Sequence, residues 1–471
     1  MRSLLPEHVE LAYVIIGWMI RIAMLVVVPR MRTPQAAQSW LLLIFFLPIP
    51  GLLIYLMIGR PRFPHWRHER FQQFHQSLDR LQQKLARFAG APEVDQDTAA
   101  LVRKVGGFPP TCGNGIEFIT GYDEAIDRLV TDIDGARHHV RILVYIFADD
   151  ETGRKVIDAL ARAVRRGVDC HVLIDALGSR RWIAGTIRLL EAAGVKVRKS
   201  LPLRLLRGRT RRDMRNHRKL FLVDGEIGYA GSQNLVNKNF RPGITNQELM
   251  VRTTGPIVAA MAGVFLMDWY LECEQIVGDP DERPVLADGT CIAQLLPSGA
   301  DYPTEGFETL LIWKLHQAQQ RVVLTTPYLI PDEDLLGAMR TSVLRGVQVD
   351  VIVSRVVDQR LVSLAQRSFY DDLLCAGVRI HQYRDYLLHA KNVTIDGALA
   401  IVGSSNADIR SFQLNEEVSI VLMDPRSVDE VEAVQRDYIA RSDAMTLEQW
   451  RKRPKRQVVL ERVARLVSPL L

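Results

Sequence analysis

The hydrophobic pattern divides the chain into an apolar beginning and a much longer region in which short apolar runs alternate with polar ones. Residues 9–28 are apolar apart from Glu10 and Arg21, and residues 40–58 are apolar throughout. Each stretch is close to the roughly 20 residues that an α-helix needs to cross a bilayer. The pattern therefore predicts a membrane anchor of two hydrophobic segments within residues 1–60.

Helix-breaking residues interrupt the second hydrophobic segment. Pro48, Pro50 and Gly51 lie near its middle, where they can kink the helix or turn it back toward the side from which it entered. The two segments are therefore predicted to be transmembrane or re-entrant helices. A cleaved signal peptide fits poorly, because Glu7 and Glu10 stand where such a peptide carries positive charge.

Basic residues are more numerous after the second segment than before it. Arg60, Arg62, Arg67 and Arg70 follow it, against Arg30 and Arg32 in the short connection. This bias predicts a multi-pass membrane protein whose large C-terminal portion faces the cytoplasm.

The five cysteines form no CxxC pair and no zinc-ligand spacing, which agrees with a reducing compartment and predicts no structural metal. The side chain of Arg21 is expected to extend toward the membrane interface.

Beyond a polar connector over residues 61–110, of which 71–88 is predicted to be helical, the pattern repeats. A strand-like run, a helical run and a second strand-like run occur twice, at 141–147, 152–166 and 167–175 and again at 321–326, 334–344 and 346–353. Strands that alternate with helices predict layered α/β domains. The repetition predicts two pseudo-symmetric halves, a first half over 111–285 and a second half over 286–471.

A polar motif occurs once in each half, in the same register. His217, Lys219, Asp224, Ser232 and Asn234 correspond to His389, Lys391, Asp396, Ser404 and Asn406. Five residue types at identical offsets are not expected by chance, which argues against ordinary buried histidines. The two copies are therefore predicted to form the two halves of one active site.

The residue types of this motif suit a phosphate group. If the motif lies in a strand, the histidine and lysine of each copy share one face, because side chains alternate along a strand. The serines and asparagines, next to glycines, are candidate phosphate ligands, since small residues let an anion approach backbone donors. Asp224 and Asp396 belong to the motif and are counted with its catalytic residues, but each precedes a glycine and is expected to fix the hairpin and the lysine.

A glutamate follows each copy of the motif. Glu248 and Glu417 are predicted to hold the neighbouring histidine in one tautomer, as the acid of a catalytic triad does. The second half has the doublet Glu416-Glu417, and the Asn-x-Glu spacing shared with the first half favours Glu417. Two imidazoles and two ammonium groups suit a phosphodiester, with one histidine attacking phosphorus and the other protonating the leaving oxygen. This chemistry requires neither a metal nor a cofactor.

These residues resemble the HxKxxxxD motif of the phospholipase D superfamily, and the flanking runs 326–331, 408–415 and 468–471 are similar to bacterial cardiolipin synthases. The resemblance implies two phospholipase D-type α/β/α half-domains and a phosphohistidine intermediate, with His217 as nucleophile and His389 as general acid. It also implies transfer of a phosphatidyl group between two phosphatidylglycerol molecules in a bacterial inner membrane. Phosphatidylglycerol and anionic membrane lipids are the implied partners.

Three alternatives remain open at this point. A membrane-bound phospholipase D would use the same residues and pass the phosphatidyl group to water. A phosphodiesterase acting on nucleic acid fits the net charge of +6. However, the basic stretch 198–215 carries interleaved leucines and lacks aromatic residues for base stacking, so we expect it to contact anionic headgroups and expect no nucleic acid. A lipid-binding scaffold is disfavoured because neither copy of the motif is degraded. The oligomeric state and the acyl-chain preference are left open.

Overall fold

The computed structural model describes residues 7–32, 34–59, 63–89, 95–202, 214–278, 285 and 289–468. Three helices come first: α1 (Glu7–Met31), α2 (Pro34–Phe46) and α3 (Pro48–Ile58). Within the described residues, only α1 contains a stretch long and apolar enough to cross a membrane, Glu10–Met31. The second predicted segment is divided between α2 and α3.

The helices α2 and α3 fold against each other. The break falls at Pro48, which has no amide hydrogen and cannot continue α2. The rings of Trp40 and Tyr55 meet edge to face with centroids 5.2 Å apart. A Cβ added to Gly51 would lie 2.9 Å from Cα of Ile44, so the close contact needs a glycine. Where two transmembrane or re-entrant segments were predicted, the described residues contain one long apolar helix and one helical hairpin.

Arg21 lies where the tip of this hairpin meets the middle of α1. Its guanidinium donates to the carbonyl of Phe45 at 3.0 Å and lies 5.3 Å from the ring centroids of Trp18 and Phe45. The last carbonyls of a helix have no partner within that helix. Arg21 therefore caps the end of α2 instead of extending to the interface as expected.

The rest of the described chain forms one mixed α/β body. Its helices are α4 (His65–Leu85), α5 (Gln96–Gly106), α6 (Tyr122–Gly135), α7 (Glu151–Arg165), α8 (Ile183–Ala192), α9 (Ile257–Cys273), α10 (Gly306–Gln317), α11 (Glu333–Leu344), α12 (Arg360–Ser368), α13 (Tyr370–Ala376), α14 (Ile409–Gln413), α15 (Pro425–Ala440), α16 (Leu447–Arg451) and α17 (Lys455–Val467), with a 3-10 turn at Ala86–Phe88. Its strands are β1 (Thr111–Ile119), β2 (His139–Val144), β3 (Asp169–Asp175), β4 (Lys196–Ser200), β5 (Leu220–Val223), β6 (Ile227–Gly231), β7 (Asn246–Gln247), β8 (Met250–Thr254), β9 (Cys291–Ser298), β10 (Arg321–Thr325), β11 (Leu329–Ile330), β12 (Gln348–Ser354), β13 (Arg379–Tyr383), β14 (Leu387–Leu388), β15 (Asn392–Ile395), β16 (Leu399–Gly403), β17 (Ala407–Asp408), β18 (Glu417–Leu422) and β19 (Ser442–Met445).

Fifteen of these strands form one sheet, in the order β19-β13-β12-β10-β15-β16-β18-β9-β1-β8-β6-β5-β2-β3-β4. The order is symmetric about the antiparallel pair β1–β9, and β19 adds an extra edge strand to the second half. The outer strands β2-β3-β4 and β10-β12-β13 are parallel in both halves. The sheet thus has the two-fold pseudo-symmetry that the repeats predict, and the halves meet at its centre.

Helices cover both faces of the sheet. On one face α4, α9 and α15 share a single apolar core that extends across both halves. On the other face α6, α7 and α8 pack on the first half, and α10, α11 and α13 pack on the second. The predicted repeat of strand, helix and strand corresponds to β2-α7-β3 and β10-α11-β12. Each half therefore has three layers around a central sheet.

The connector helix α4 is present as predicted, and its two arginines nearest the anchor are bound by other parts of the protein. Arg67 is fully buried and binds Asp301 at 3.0 Å. Arg70 donates to a backbone carbonyl of α9 at 3.0 Å. Both arginines contributed to the predicted positive-inside bias, and Arg60 and Arg62 lie outside the described residues. The cytoplasmic orientation therefore stays a prediction.

Candidate active site

The histidine and lysine of each motif lie in an extended segment that ends where a strand begins. His217 and Lys219 precede β5, and His389 and Lys391 precede β15, so the prediction that they lie within a strand is wrong by a few residues. Both imidazoles line one cavity of about 300 Å³. The two motifs therefore contribute to one site between the halves.

Each histidine is held by a carboxylate from the other half. Nδ1 of His217 lies 3.0 Å from both carboxylate oxygens of Glu417, and Nδ1 of His389 lies 2.9 Å from both of those of Glu248. This corrects the expectation that each glutamate orients the histidine of its own half. With Nδ1 engaged, Nε2 of each imidazole is the nitrogen left for a substrate.

Backbone pairing between the halves produces this crossed arrangement. A parallel bridge joins Asn216 to Glu416, and the amide of His217 donates to the carbonyl of Glu416 at 2.8 Å. In the other half β14 runs parallel to β7, and the amide of His389 donates to the carbonyl of Gln247 at 2.8 Å. Each histidine is thus aligned with the residue that precedes the other half's glutamate.

The glycines of the motif allow close contact with the glutamate strands. A Cβ on Gly231 would lie 2.4 Å from the carbonyl oxygen of Leu249, and one on Gly403 would lie 2.3 Å from that of Val418. Leu249 and Val418 are the residues that follow the two glutamates. The close approach that these glycines permit is therefore to protein backbone, where the sequence suggested an anion.

The motif serines support the glutamates and do not line the cavity. The hydroxyl of Ser404 donates to Glu417 and accepts the amide of Val418 at 3.0 Å. The hydroxyl of Ser232 accepts the amide of Leu249 at 3.0 Å. Both serines are fully buried. The prediction that Ser232 and Ser404 bind phosphate is therefore replaced by a positioning role behind the histidine–glutamate pairs.

The motif asparagines do line the cavity, but they make different contacts. Oδ1 of Asn234 accepts the amide of Ile146 at 3.0 Å, which leaves its NH₂ group for another partner. Nδ2 of Asn406 donates to Asp408 at 3.1 Å. Both asparagines stay candidate phosphate ligands, and Asn234 has the more available donor.

The motif aspartates lie at the far end of each strand from the histidines. Asp224 accepts three consecutive backbone amides, those of residues 137–139, at 2.7 to 2.8 Å, and Asp396 does the same for residues 319–321. Both have a φ of 53°, and the glycine after each also has a positive φ, as a type I′ turn requires. The turn prediction is confirmed, while the expected contact with the lysines is wrong.

Each motif lysine instead donates to the carbonyl of its own histidine. Nζ of Lys219 lies 2.6 Å from the carbonyl oxygen of His217, and Nζ of Lys391 lies 2.5 Å from that of His389. Burial lowers the pKa of Lys219 to about 7 and that of Lys391 to about 8, although the glutamates oppose this effect. The protein's own carboxylates therefore do not fully compensate the cost of burying the two ammonium groups, which suits them to an anionic ligand.

The histidines and glutamates are shifted by the same environment. Burial, together with the nearby lysines, lowers the pKa of both histidines, to about 4 for His389. Burial also acts to raise the pKa values of Glu248 and Glu417, but the attraction of the imidazoles and lysines outweighs it and lowers them. These shifts favour a neutral imidazole beside an ionised carboxylate, which is the form in which an imidazole can act as a nucleophile.

Several residues outside the motif complete the cavity wall. They include Tyr145, Arg215, Arg241, Asn246, Tyr328, Arg410 and Asn415. The ring of Tyr145 meets that of His217 edge-on with centroids 4.9 Å apart. Arg215 is buried and binds Asp175 at 2.8 Å, so its inclusion in the basic stretch expected to contact anionic headgroups is wrong. The rest of that prediction falls mainly on residues 203–213, which lie outside the described residues. The sequence feature that could have identified Arg215 as a residue of the cavity wall is its position two residues before His217.

The two halves match a family described as "Cardiolipin synthase, PLD-like domain" over residues 129–269 and 311–437. The chain belongs to this cardiolipin synthase family. Residues 19–60 match a phospholipase D-nuclease N-terminal family. Cardiolipin synthase A of Erwinia tasmaniensis is 35% identical over 94% of this chain and 94% of the relative, and that of Proteus mirabilis is 35% identical over 93% and 94%. The crystal structure of phosphatidylserine synthase from Haemophilus influenzae superposes with a TM-score of 0.61 at 15% identity, covering 80% of this chain and 100% of that chain, which supports the fold.

Within this cardiolipin synthase fold, a buried charge network lies beside the first motif. Arg218 donates to Asp268 at 2.5 Å, to Glu416 at 2.8 Å and to the carbonyl of Glu417 at 2.9 Å. Arg218 itself is 1% exposed. It therefore connects the segment that carries His217 to the backbone of Glu417 and to the neighbouring carboxylates of Asp268 and Glu416. Sequence reasoning missed this role because Arg218 is not one of the residues that the two copies of the motif share.

Proposed function

We propose that the protein is a cardiolipin synthase that transfers a phosphatidyl group from one phosphatidylglycerol to another, releasing glycerol, through a phosphohistidine on His217. The observation that carries the proposal is the pair of imidazoles in one cavity, each with Nδ1 against a carboxylate. Such a pair supplies a nucleophile and a general acid–base from opposite halves. The 35% identity to cardiolipin synthase A supports the substrate class.

In the first step, Nε2 of His217 attacks the phosphorus of phosphatidylglycerol, and the bond from phosphorus to the glycerol oxygen breaks. His389 donates its proton to that oxygen, and glycerol leaves. The two lysines and the amide of Asn234 stabilise negative charge on the non-bridging oxygens. An anionic phosphodiester in the cavity favours the protonated forms of His389 and the lysines, which opposes the effect of burial.

In the second step, the terminal hydroxyl of another phosphatidylglycerol attacks the same phosphorus. His389 takes the proton of that hydroxyl, and the bond between phosphorus and His217 breaks, which yields cardiolipin and a neutral His217. One phosphodiester replaces another, so the exchange is close to thermoneutral and needs no nucleoside triphosphate. Excess glycerol should therefore reverse it.

The test uses the purified full-length protein in phosphatidylglycerol vesicles, with both products identified. We expect cardiolipin and glycerol in equal amounts, and less cardiolipin when glycerol is added. Phosphatidic acid as the main product, insensitive to glycerol, would favour the hydrolase alternative. Inhibition by oligonucleotide at vesicle-saturating lipid would favour the nucleic-acid alternative.

Metal independence stays a prediction. It would be contradicted if EDTA abolished the activity and a divalent ion restored it.

We also infer that α1 crosses a bacterial inner membrane, that the α2–α3 hairpin is re-entrant, and that the catalytic portion faces the cytoplasm. Arg32 donates to the carbonyl of Ile58 at 3.3 Å, so the end of α1 and the end of the hairpin lie side by side. Membrane-impermeant maleimide applied to intact spheroplasts tests this arrangement. A cysteine at Glu10 should react and one at Leu344 should not, whereas two spanning helices would leave both unreactive.

A further inference from the structure

Helix α17 has an apolar face that the described part of the chain leaves exposed. This α17 face consists of Val459, Leu460, Val463 and Leu466, which are each between 55% and 60% exposed. Their spacing places them on one side of the helix. Four aliphatic side chains in one exposed row are more than the scattered apolar residues of an ordinary soluble surface.

The opposite side of α17 is firmly attached to the second half. Glu461 is 1% exposed and accepts from both Arg367 and Arg453 at 2.9 Å. Arg465 binds Asp372 at 2.6 Å. The helix therefore has a fixed orientation, and the exposure of the α17 face follows from the fold.

The α17 face adjoins both the membrane anchor and the active site. Ser39 of α2 donates to the carbonyl of Leu466 at 3.0 Å. Leu42 of α2 and Leu466 line a cavity of about 350 Å³, which shares Ile409 and Ser468 with the cavity that holds the two histidines. The α17 face therefore lies next to the anchor and beside a cavity that adjoins the mouth of the active site.

Exposed cations flank this surface. Lys455, Arg456 and Arg462 lie on α17 beside its apolar face. An amphipathic helix with an apolar face and basic flanks binds in the plane of an anionic bilayer surface. A second copy of the chain would match the apolar residues but not the basic flanks or the continuity with α2, so the surface fits a lipid bilayer better.

We propose that the α17 face lies in the bilayer interface beside α2 and holds the mouth of the active site at the headgroup layer. This inference rests on the proposed action on membrane phospholipid. With the phosphate between the two histidines, the acyl chains of the lipid leave past Ile409 and Ser468 along α2. The helix α17 thus determines the orientation of the catalytic portion at the bilayer surface, while α1 retains the protein in the membrane.

The first test compares turnover of two full-length variants in phosphatidylglycerol proteoliposomes. Leu460→Asp/Val463→Asp should lower turnover about tenfold, because charged side chains oppose insertion into the interface. Turnover of a short-chain phosphatidylglycerol dissolved in detergent should stay within about twofold, since no interface is then involved. The control is Leu344→Asp, an 86% exposed leucine on α11, which should leave both rates unchanged. Equal vesicle turnover in the double variant and the control would overturn the proposal.

The second test does not depend on activity. A nitroxide at position 460 of the full-length protein in vesicles should become more accessible to oxygen and less accessible to a polar nickel complex than one at position 344. Equal accessibility at the two positions would contradict bilayer contact even if cardiolipin is formed. Dipolar broadening between labels at position 460 would assign the α17 face to a second copy. Absence of cardiolipin from the wild-type protein with both lipids would refute the proposed function and leave this measurement interpretable.

Discussion

The two half-sites carry the same motif in different surroundings. Beside His217 the next residue is Arg218, which binds buried carboxylates from two other segments. Beside His389 the corresponding residue is Ala390, which is fully buried in the apolar core. Both histidines have a carboxylate and a backbone partner, but the residue next to His217 adds buried charge pairs where the residue next to His389 adds only apolar packing.

This difference agrees with different tasks for the two histidines. A nucleophile that forms a bond to phosphorus must keep one position through both steps, and buried pairs with several hydrogen bonds restrict motion strongly. A general acid–base only has to reach an oxygen that changes from leaving group to acceptor. We therefore interpret the network at Arg218 as a device that positions His217 as the nucleophile.

The largest expected effect separates the two histidines. His217→Ala and His389→Ala should each lower turnover by about 10⁴-fold or more, because each removes a group that reacts in both steps. With a phosphatidyl ester of p-nitrophenol, whose leaving group needs no proton, His389→Ala should still form the phosphoenzyme and His217→Ala should not. Quenched samples analysed by mass spectrometry check this. The reverse pattern would exchange the two roles.

The crossed carboxylates give the next largest effect. Glu417→Gln should reproduce the defect of His217→Ala and Glu248→Gln that of His389→Ala, each with about a 10²- to 10⁴-fold loss, because the amide no longer fixes the imidazole tautomer. The p-nitrophenyl ester again distinguishes them. It should form the phosphoenzyme in Glu248→Gln at close to the wild-type rate. A defect in the histidine of the same half would contradict the crossed pairing.

Removing Arg218 should affect stability more than chemistry. Arg218→Ala removes the guanidinium that binds the buried carboxylates of Asp268 and Glu416, which should lower the free energy of unfolding by about 3–5 kcal/mol. Thermal melting of the detergent-solubilised protein measures the change. The control is Arg441→Ala, since exposed ion pairs contribute about 1 kcal/mol or less. Equal melting temperatures for the two variants would remove the proposed asymmetry between the half-sites.

The sequence predicted features that depend on local pattern. The repeated strand and helix runs predict both halves of the sheet, and the identical offsets of His217 and His389 predict a shared cavity. The Asp-Gly turns were also predictable from the dipeptide itself. In the structure, Asp224 and Asp396 adopt the positive φ that such turns need. All of these follow from short local patterns or from their repetition in the second half.

The features that the sequence did not predict depend on distant segments. The pairing of Asn216 with Glu416 determines which histidine meets Glu417, and hydrophobic periodicity contains no information about it. The contact of Gly403 with the backbone of Val418 likewise gives the Gly-Ser pair a role that short-range reasoning assigned to phosphate binding. In the anchor, Pro48 was recognised as a break, but the hairpin depends on packing between α2 and α3.

The lysines should give the two half-sites slightly different pH responses. Without bound phosphate, Lys219 loses its proton as pH rises through about 7 and Lys391 as it rises through about 8. Affinity for an anionic donor then falls, so kcat/KM should begin to decrease near pH 7 and decrease further through pH 8, while kcat should persist to higher pH because bound phosphate raises both pKa values. Lys219→Arg should shift the falling limb upward, since guanidinium stays charged. Coincident profiles of kcat and kcat/KM would contradict this interpretation.

The smallest effect, and the same one in both halves, is expected for the motif aspartates. Asp224 and Asp396 each accept three backbone amides at the strand end remote from the cavity. Asp224→Asn and Asp396→Asn keep the shape of the side chain but remove its charge and turn an NH₂ group toward amide donors. Each should lower the free energy of unfolding by about 1–2 kcal/mol, with turnover at a permissive temperature within about threefold of wild type. A loss of turnover comparable to that of the histidine variants, without a change in melting temperature, would return these aspartates to the catalytic residues of the motif.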